Sequence, residues 1–246
     1  MRTATVTAYL AAQYAMLAPR LRDTPALGPF LQVLKGVTPN QINRTEGGTE
    51  RPSHRAFASD AILARALRQI PETSPLRAHL HAVLDHLDWF AVFHGPQAPA
   101  DISHKMHMAP LSWQPTGDAP TGHHTGLFVL HPDLDYPAHT HAADEVYLCL
   151  SGQLTIRHGV SEPPITLSPG MASITPSERL HSLHTGSEPV ILAYVWHGEL
   201  GAPNWWWHRD ASGDWMREQW QWEDNDDWRS YGVEPVSPSI MARCCP

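Results

Sequence analysis

His139-Thr-His141-Ala-Ala-Asp-Glu145-Val-Tyr147, closed five residues later by Gly152, places two imidazoles, a carboxylate and a phenol within nine residues. Side chains alternate along a strand, so His139 and His141 share one face, and Glu145 and Tyr147 repeat that geometry. If residues 142–144 turn the chain into a second strand, each pair still presents its polar groups to one side, such as the lumen of a small barrel. The stretch reads as a metal site with a proton-transfer group beside it.

Downstream, Pro169-Gly170-Met-Ala-Ser-Ile-Thr-Pro176-Ser-Glu-Arg-Leu-His181 offers a third histidine after a turn, a short apolar strand and a second turn. Three imidazoles and one carboxylate suit zinc, iron(II), manganese or nickel. They match calcium and magnesium poorly, because those ions prefer oxygen. The candidate ligands are therefore His139, His141, Glu145 and His181, with His139 either a ligand or a support for one. The other histidines, scattered from His54 to His124, do not combine this spacing with a strand context and are expected to be surface or supporting groups. His184 is out of phase with His181 and is expected at the surface, and Cys149 is expected to be a buried hydrophobe.

Around these residues the chain is rich in short β-type runs: 126–130, 145–150, 153–157, 165–167, 172–175 and 190–196. Ser151-Gly152, His158-Gly159 and Pro169-Gly170 separate them at the spacing of a small antiparallel barrel or jelly roll. Residues 1 to about 95 read instead as helical. An alanine-rich segment runs to Pro19, and a second helix follows Thr24-Pro25, a capping pair. In a third, Ser59 caps a run whose Ile62, Leu63, Ala66, Leu67 and Ile70 share a face and which Pro71 stops. A fourth starts at Ser74-Pro75, spaces Leu76, Leu80, Val83, Leu84, Leu87 and Phe90 helically, and ends by Gly95. The expected fold is mostly β, with an N-terminal α-helical region at 1–105 packed on the barrel or on a dimer partner, the barrel and metal site at 106–200, and an extension at 201–246. That extension holds seven of the ten tryptophans (Trp205, Trp206, Trp207, Trp215, Trp220, Trp222 and Trp228) with no defensible period. They are expected to pack outside the barrel or on a second subunit, or else to form a lid or docking segment.

With 246 residues, 42% of them hydrophobic, the chain can bury a substantial core. A net charge of -8 and the absence of a basic stripe argue against a nucleic-acid partner. Three cysteines make no disulfide framework, the first twenty residues lack a secretory pattern, and no run reaches membrane-spanning length. A cytoplasmic protein that acts on a small molecule, without membrane attachment and as a monomer or homodimer, is the expectation.

The motif from His139 to Gly152 resembles the first motif of the cupin superfamily, His-x-His, three or four residues, Glu, six residues, Gly. Gly170, Pro176 and His181 match the second, with three departures: Glu178 stands where a glycine is usual, Thr185 replaces the usual asparagine, and Asp133 occupies the place of a glycine expected before the first histidine. Within cupins, Tyr136-Pro-x-His139-x-His141-x-x-x-Glu145-x-Tyr147 with His181 and Trp196 is similar to the dimethylsulfoniopropionate lyases and their lyase-like relatives, over roughly residues 106–198. The resemblance implies that His141, Glu145 and His181 bind a metal and that Tyr147 is a ligand or the catalytic base. It also implies that Tyr136 lines the pocket and shares proton transfer, and that Trp196 faces the substrate.

The chemistry of the residues agrees with this resemblance. A divalent ion can take a substrate carboxylate and spread the charge that develops when the adjacent carbon loses a proton, the hard step of a β-elimination. Tyr147 shares a face with Glu145, and a nearby positive charge would lower its pKa from about 10. Tyr136 is a second candidate base. The sulfonium of the implied substrate needs an aromatic wall, which Trp196 and Tyr194 on the last barrel strand could supply by cation–π attraction. The implied products are dimethyl sulfide and acrylate. The same ligands could serve an oxygen-dependent or isomerising cupin enzyme acting on a small organic acid, and the same barrel could merely bind a ligand without turnover.

Overall fold

A computed structural model describes residues 2–37, 61–84, 87, 89–93, 95–114, 122–223 and 228–246. The N-terminal part contains helices α1 (Arg2–Leu17), α2 (Gly28–Gly36), α3 (Ala61–Arg68) and α4 (Arg77–Leu84). Leu63, Ala66 and Ile70 are buried on one face of and just beyond α3, and Ser74 Oγ accepts the Leu76 N–H ahead of α4, as their spacing predicts. Ser59 lies outside the described residues. Thr24 makes no side-chain cap: a short 3-10 turn, Pro25–Leu27, intervenes before α2. Phe90 is not in a helix either. With Ala91 it forms the two-residue strand β1, paired with Met108 and His107.

After α5 (Ala100–Ser103) come β2 (Met106–Gln114), β3 (Gly122–Leu130), β4 (Asp135–Thr140), β5 (Ala143–Ser151), β6 (Leu154–His158), β7 (Ile165–Leu167), β8 (Ala172–Thr175), β9 (His181–Thr185), β10 (Val190–Gly198), β11 (Asn204–Arg209), β12 (Trp215–Trp222), β13 (Trp228–Pro235) and α6 (Pro238–Cys244). They form two antiparallel sheets, ordered β1-β2-β3-β10-β5-β8 and β13-β12-β11-β4-β9-β6-β7. This is the cupin architecture, with helices laid on its first sheet.

The first sheet is apolar on both faces because both are covered. Leu127, Val129, Val146, Leu148, Ile191, Ala193 and Val195 point to the helices, while Phe128, Leu130, Tyr147, Cys149, Leu192 and Tyr194 point into the barrel. The alternation follows the strand period of two. Tyr9, Leu80 and Val83 close the helical side, fully buried, and burying an aliphatic side chain of this kind contributes about 1.5–3 kcal/mol. The second sheet has its own outer core, where Trp207 packs with Leu180 and Cys244 of α6.

The tryptophan-rich segment thus continues the second sheet. Trp205 and Trp207 turn toward α6, and Trp206 turns into the barrel core with Trp220 and Trp228. Three consecutive tryptophans can all be covered because each face of β11 has a core of its own.

Candidate metal centre

The two sheets contribute different parts of the site. His139 on β4 and His181 on β9 are direct cross-strand partners in the second sheet. His141 sits at the corner after β4, and Glu145 lies on β5 in the first sheet, between Thr175 and Trp196. The chain does turn between the two pairs, at His141-Ala142 and not over 142–144, since β5 already begins at Ala143, and the two halves of the motif face each other across the lumen.

One irregularity brings Tyr136 into this group. Residues three apart on a regular strand face opposite sides, yet both Tyr136 and His139 point inward. The register with β9 slips between Tyr136↔Leu183 and His139↔His181, a bulge that spans Pro137, which has no N–H to give to the ladder. The Tyr136 and His139 rings then lie 4.1 Å apart, centroid to centroid.

The three imidazoles are oriented alike. Each Nδ1 meets a backbone carbonyl that can only accept: Pro137 at 2.8 Å from His139, Ala143 at 2.9 Å from His141, and Arg179 at 2.9 Å from His181. Nδ1 therefore carries a proton in each ring, and Nε2 is the nitrogen left facing the lumen, a ligand atom whenever it is deprotonated. Ligand atoms of the three histidines lie within 4.8 Å of one another. Glu145 Oε2 is 3.4 Å from His181 Nε2 and 3.8 Å from His141 Nε2. These three atoms are buried and have no hydrogen-bond partner. Buried polar atoms left unpaired are costly, and a convergent set of imidazole nitrogens with a carboxylate is what a divalent transition ion coordinates. The residues fit a metal.

Electrostatics agree with this fit. Burial alone would raise the Glu145 carboxyl, but His141 and His181 outweigh it and hold the group well below the usual carboxylate range. Burial, with the charges of His181 and His141, pushes His139 far below its ordinary value, so it stays neutral. Glu145 Oε1 accepts the Trp196 indole N–H, which fixes the carboxylate from its other side.

The tyrosines ring this group. Tyr147 and Tyr194 are direct partners on β5 and β10, and Tyr136 faces them from the second sheet; all three are buried. Burial first, and then the Glu145 carboxylate, push the Tyr147 and Tyr194 phenols well above 10. The half-buried Trp196 ring lies 5.4 Å from His141.

The sequence reading brought His139, His141, Glu145, His181, Tyr136, Tyr147, Tyr194 and Trp196 to one place, and the structure puts them together there. It missed His124, buried on β3 against the Tyr194 hydroxyl. It also missed Phe93 and Trp206, which pack on Tyr136. The parity of His124 with Phe128 and Leu130 was a usable signal for the first; nothing local marked the other two. A cleft of about 290 Å³, lined by His158, Arg179 and Arg243 among others, lies beside the centre and includes none of the eight residues.

Residues 30–192 match the profile of the dimethylsulfoniopropionate lyase family. Dimethylsulfoniopropionate lyase DddQ of Ruegeria pomeroyi is 35% identical over 68 residues, which is 27% of this chain and 33% of that protein. The match therefore spans about a third of the curated relative's length. The crystal structure of DMSP lyase DddQ from Ruegeria pomeroyi DSS-3 superposes with a TM-score of 0.54 at 22% identity, covering 81% of this chain and 94% of that one. A crystal chain described under the DMSP lyases RdDddP and RnDddQII gives 0.54 at 20% identity, over 83% and 98%. At these identities the two structures share the fold.

Proposed function

This chain belongs to the dimethylsulfoniopropionate lyase family, and from that premise we propose that it cleaves dimethylsulfoniopropionate by β-elimination to dimethyl sulfide and acrylate. The observation that carries the reading is the convergence of the unpaired Nε2 atoms of His141 and His181 with Glu145 Oε2, next to three buried tyrosines.

His141, Glu145 and His181, with His139 completing the set, would hold one divalent ion: zinc, iron(II), manganese or nickel by donor type. Such an ion would supply positive charge able to take a substrate carboxylate and to offset the Glu145 charge that keeps the Tyr147 proton on. Tyr147 is the assigned base. As the phenolate that this positive charge would favour, having given up its own proton beforehand, it would take the proton from the carbon next to the carboxylate; that C–H pair becomes the new double bond, and the C–S pair leaves with sulfur as neutral dimethyl sulfide. Tyr136 is the second group able to carry the proton, from the facing sheet. The Trp196 ring, held in place by its N–H on Glu145, and the Tyr194 ring beside it at 5.9 Å give the sulfonium an aromatic wall. Among the described residues no helix is long and apolar enough to cross a membrane; a cytoplasmic location and assembly as a homodimer remain part of this proposal.

The test is headspace detection of dimethyl sulfide, with acrylate followed in parallel, after adding dimethylsulfoniopropionate to metal-loaded protein. Equal release of both without oxygen uptake is expected. Oxygen consumption, or no release from metal-occupied protein, would move the function to another cupin reaction.

A further inference from the structure

Strands β11–β13 lie wholly beyond the segment that matches the family profile, which ends at residue 192. Yet β11 pairs directly with β4, the strand that carries Tyr136 and His139, and does so through Trp206↔His139 and Trp205↔Thr140. On its other edge β4 is bulged, its register against β9 broken between Tyr136 and His139. A bulge interrupts the ladder and bends the strand that carries it, so the β11 side is where the position of β4 can be held.

The side chains continue that support. The Trp206 ring stands edge-on to Tyr136 at 5.9 Å and 82°, and its back is stacked on Trp220 at 4.8 Å. Phe93 wedges between them, 5.1 Å from Trp206, 5.4 Å from Tyr136 and 4.9 Å from Trp228. Trp228 pins this wedge by donating its indole N–H to the Val92 carbonyl at 2.7 Å. Tyr136 is thus held between Trp206 and Phe93 on one side and the His139 ring on the other. The Trp206 indole N–H is buried and makes no hydrogen bond within normal geometry; the group it faces is the Tyr136 phenol.

We propose that Trp206 is a positioning residue for Tyr136 and His139, so that the C-terminal meander completes the metal centre of this chain. The inference rests on the reading of His139 as a ligand or its support and of Tyr136 as a proton-transfer group. Its loss would let Tyr136 swing and the His139 ring follow, without removing any donor atom.

The test compares Trp206→Phe and Trp206→Leu with Trp207→Leu, which deletes an equally buried indole from the opposite face of the same strand. Each protein is loaded with cobalt(II), and its visible absorption reports how the donors are arranged whether or not any substrate turns over. The cobalt bands should shift in Trp206→Leu and stay unchanged in Trp207→Leu. If the lyase reading holds, kcat should also fall by roughly 10- to 100-fold in Trp206→Leu while KM changes little, since a small misplacement of a reacting group has effects of that size. Trp206→Phe, which keeps most of the packing, should lower kcat only when Tyr136 is present and add nothing to Tyr136→Phe. Unchanged cobalt bands in folded Trp206→Leu, or the same shift in Trp207→Leu, would overturn the proposal. Absence of turnover in the parent protein would count against the lyase reading alone and leave the cobalt comparison intact.

Discussion

His124 Nε2 lies 3.1 Å from the Tyr194 hydroxyl, both side chains buried inside the barrel, and the space for that hydroxyl exists because residue 126 is glycine. A Cβ at position 126 would sit 2.7 Å from the Tyr194 oxygen and 2.4 Å from the Ala109 carbonyl oxygen. The glycine in β3 is therefore a packing requirement of the site wall. Gly126→Ala should lower stability by about 1–3 kcal/mol, the usual cost of overpacking. Tyr194→Phe, which removes one partner of a buried hydrogen bond, should cost about 1–3 kcal/mol. Combined, the two should cost less than their sum, since the phenylalanine relieves part of the clash. Urea unfolding of the four proteins checks this, and a Gly126→Ala protein as stable as the parent would contradict it.

Asp133 and Glu178 are the non-glycine residues found with positive φ among those described, at 52° and 60°. They occupy the two positions where the cupin motifs ordinarily carry glycine. Each keeps the left-handed turn and bears its steric cost. Glu178 still donates its N–H to the His141 carbonyl at 2.8 Å, so the turn needed to place His141 survives the substitution. Glu178→Gly should stabilise the protein by about 1 kcal/mol. Asp133→Gly should gain less, because aspartate tolerates this region better. A loss of stability in both, measured by urea unfolding, would mean that the side chains contribute more than the backbone costs.

Glu145 gives the metal-free protein a pH signature. Its folded carboxyl titrates below the ordinary 4.5 because His141 and His181 favour the charged form more than burial opposes it. The sign follows: the unfolded chain takes up the proton first, so the stabilisation is present above about pH 4.5 and disappears as pH falls toward the folded value. Unfolding free energies of metal-free parent and Glu145→Gln should therefore differ most near neutral pH and converge below 4.5. A gap that stays constant from pH 7 to pH 3 would exclude the carboxylate as its source.

Tyr147→Phe should cut turnover by about 100- to 10,000-fold, the range for loss of a positioned acid or base, while metal content stays near that of the parent. Parallel loss of metal and activity would make Tyr147 chiefly a ligand.

Much of this was legible in the sequence because strand periodicity is a local property. The parity of Glu145, Tyr147 and Cys149 against Val146, Leu148 and Leu150 already separates lumen from helical face, and the motif spacing already groups the histidines. Two features were not legible. Tyr136 and His139 share a face only through a bulge, whose position depends on pairing with β9, a strand some forty residues away. The tail showed no period because Trp205 and Trp207 find a core on one face of β11 and Trp206 on the other. Partners supplied by distant segments erase the polar–apolar alternation that marks a one-sided strand.

On the proposed function, cleavage of dimethylsulfoniopropionate needs one divalent ion held by His139, His141, Glu145 and His181. The most direct measurement is a titration of chelator-stripped protein with iron(II), manganese, zinc and nickel in turn, following bound metal and dimethyl sulfide release in the same samples. Release should be absent from stripped protein and rise with bound ion to a plateau at about one per chain for at least one metal, as expected of a single catalytic site, with neither binding nor release in Glu145→Ala. Full release from stripped protein, or from Glu145→Ala with the site empty, would contradict the account.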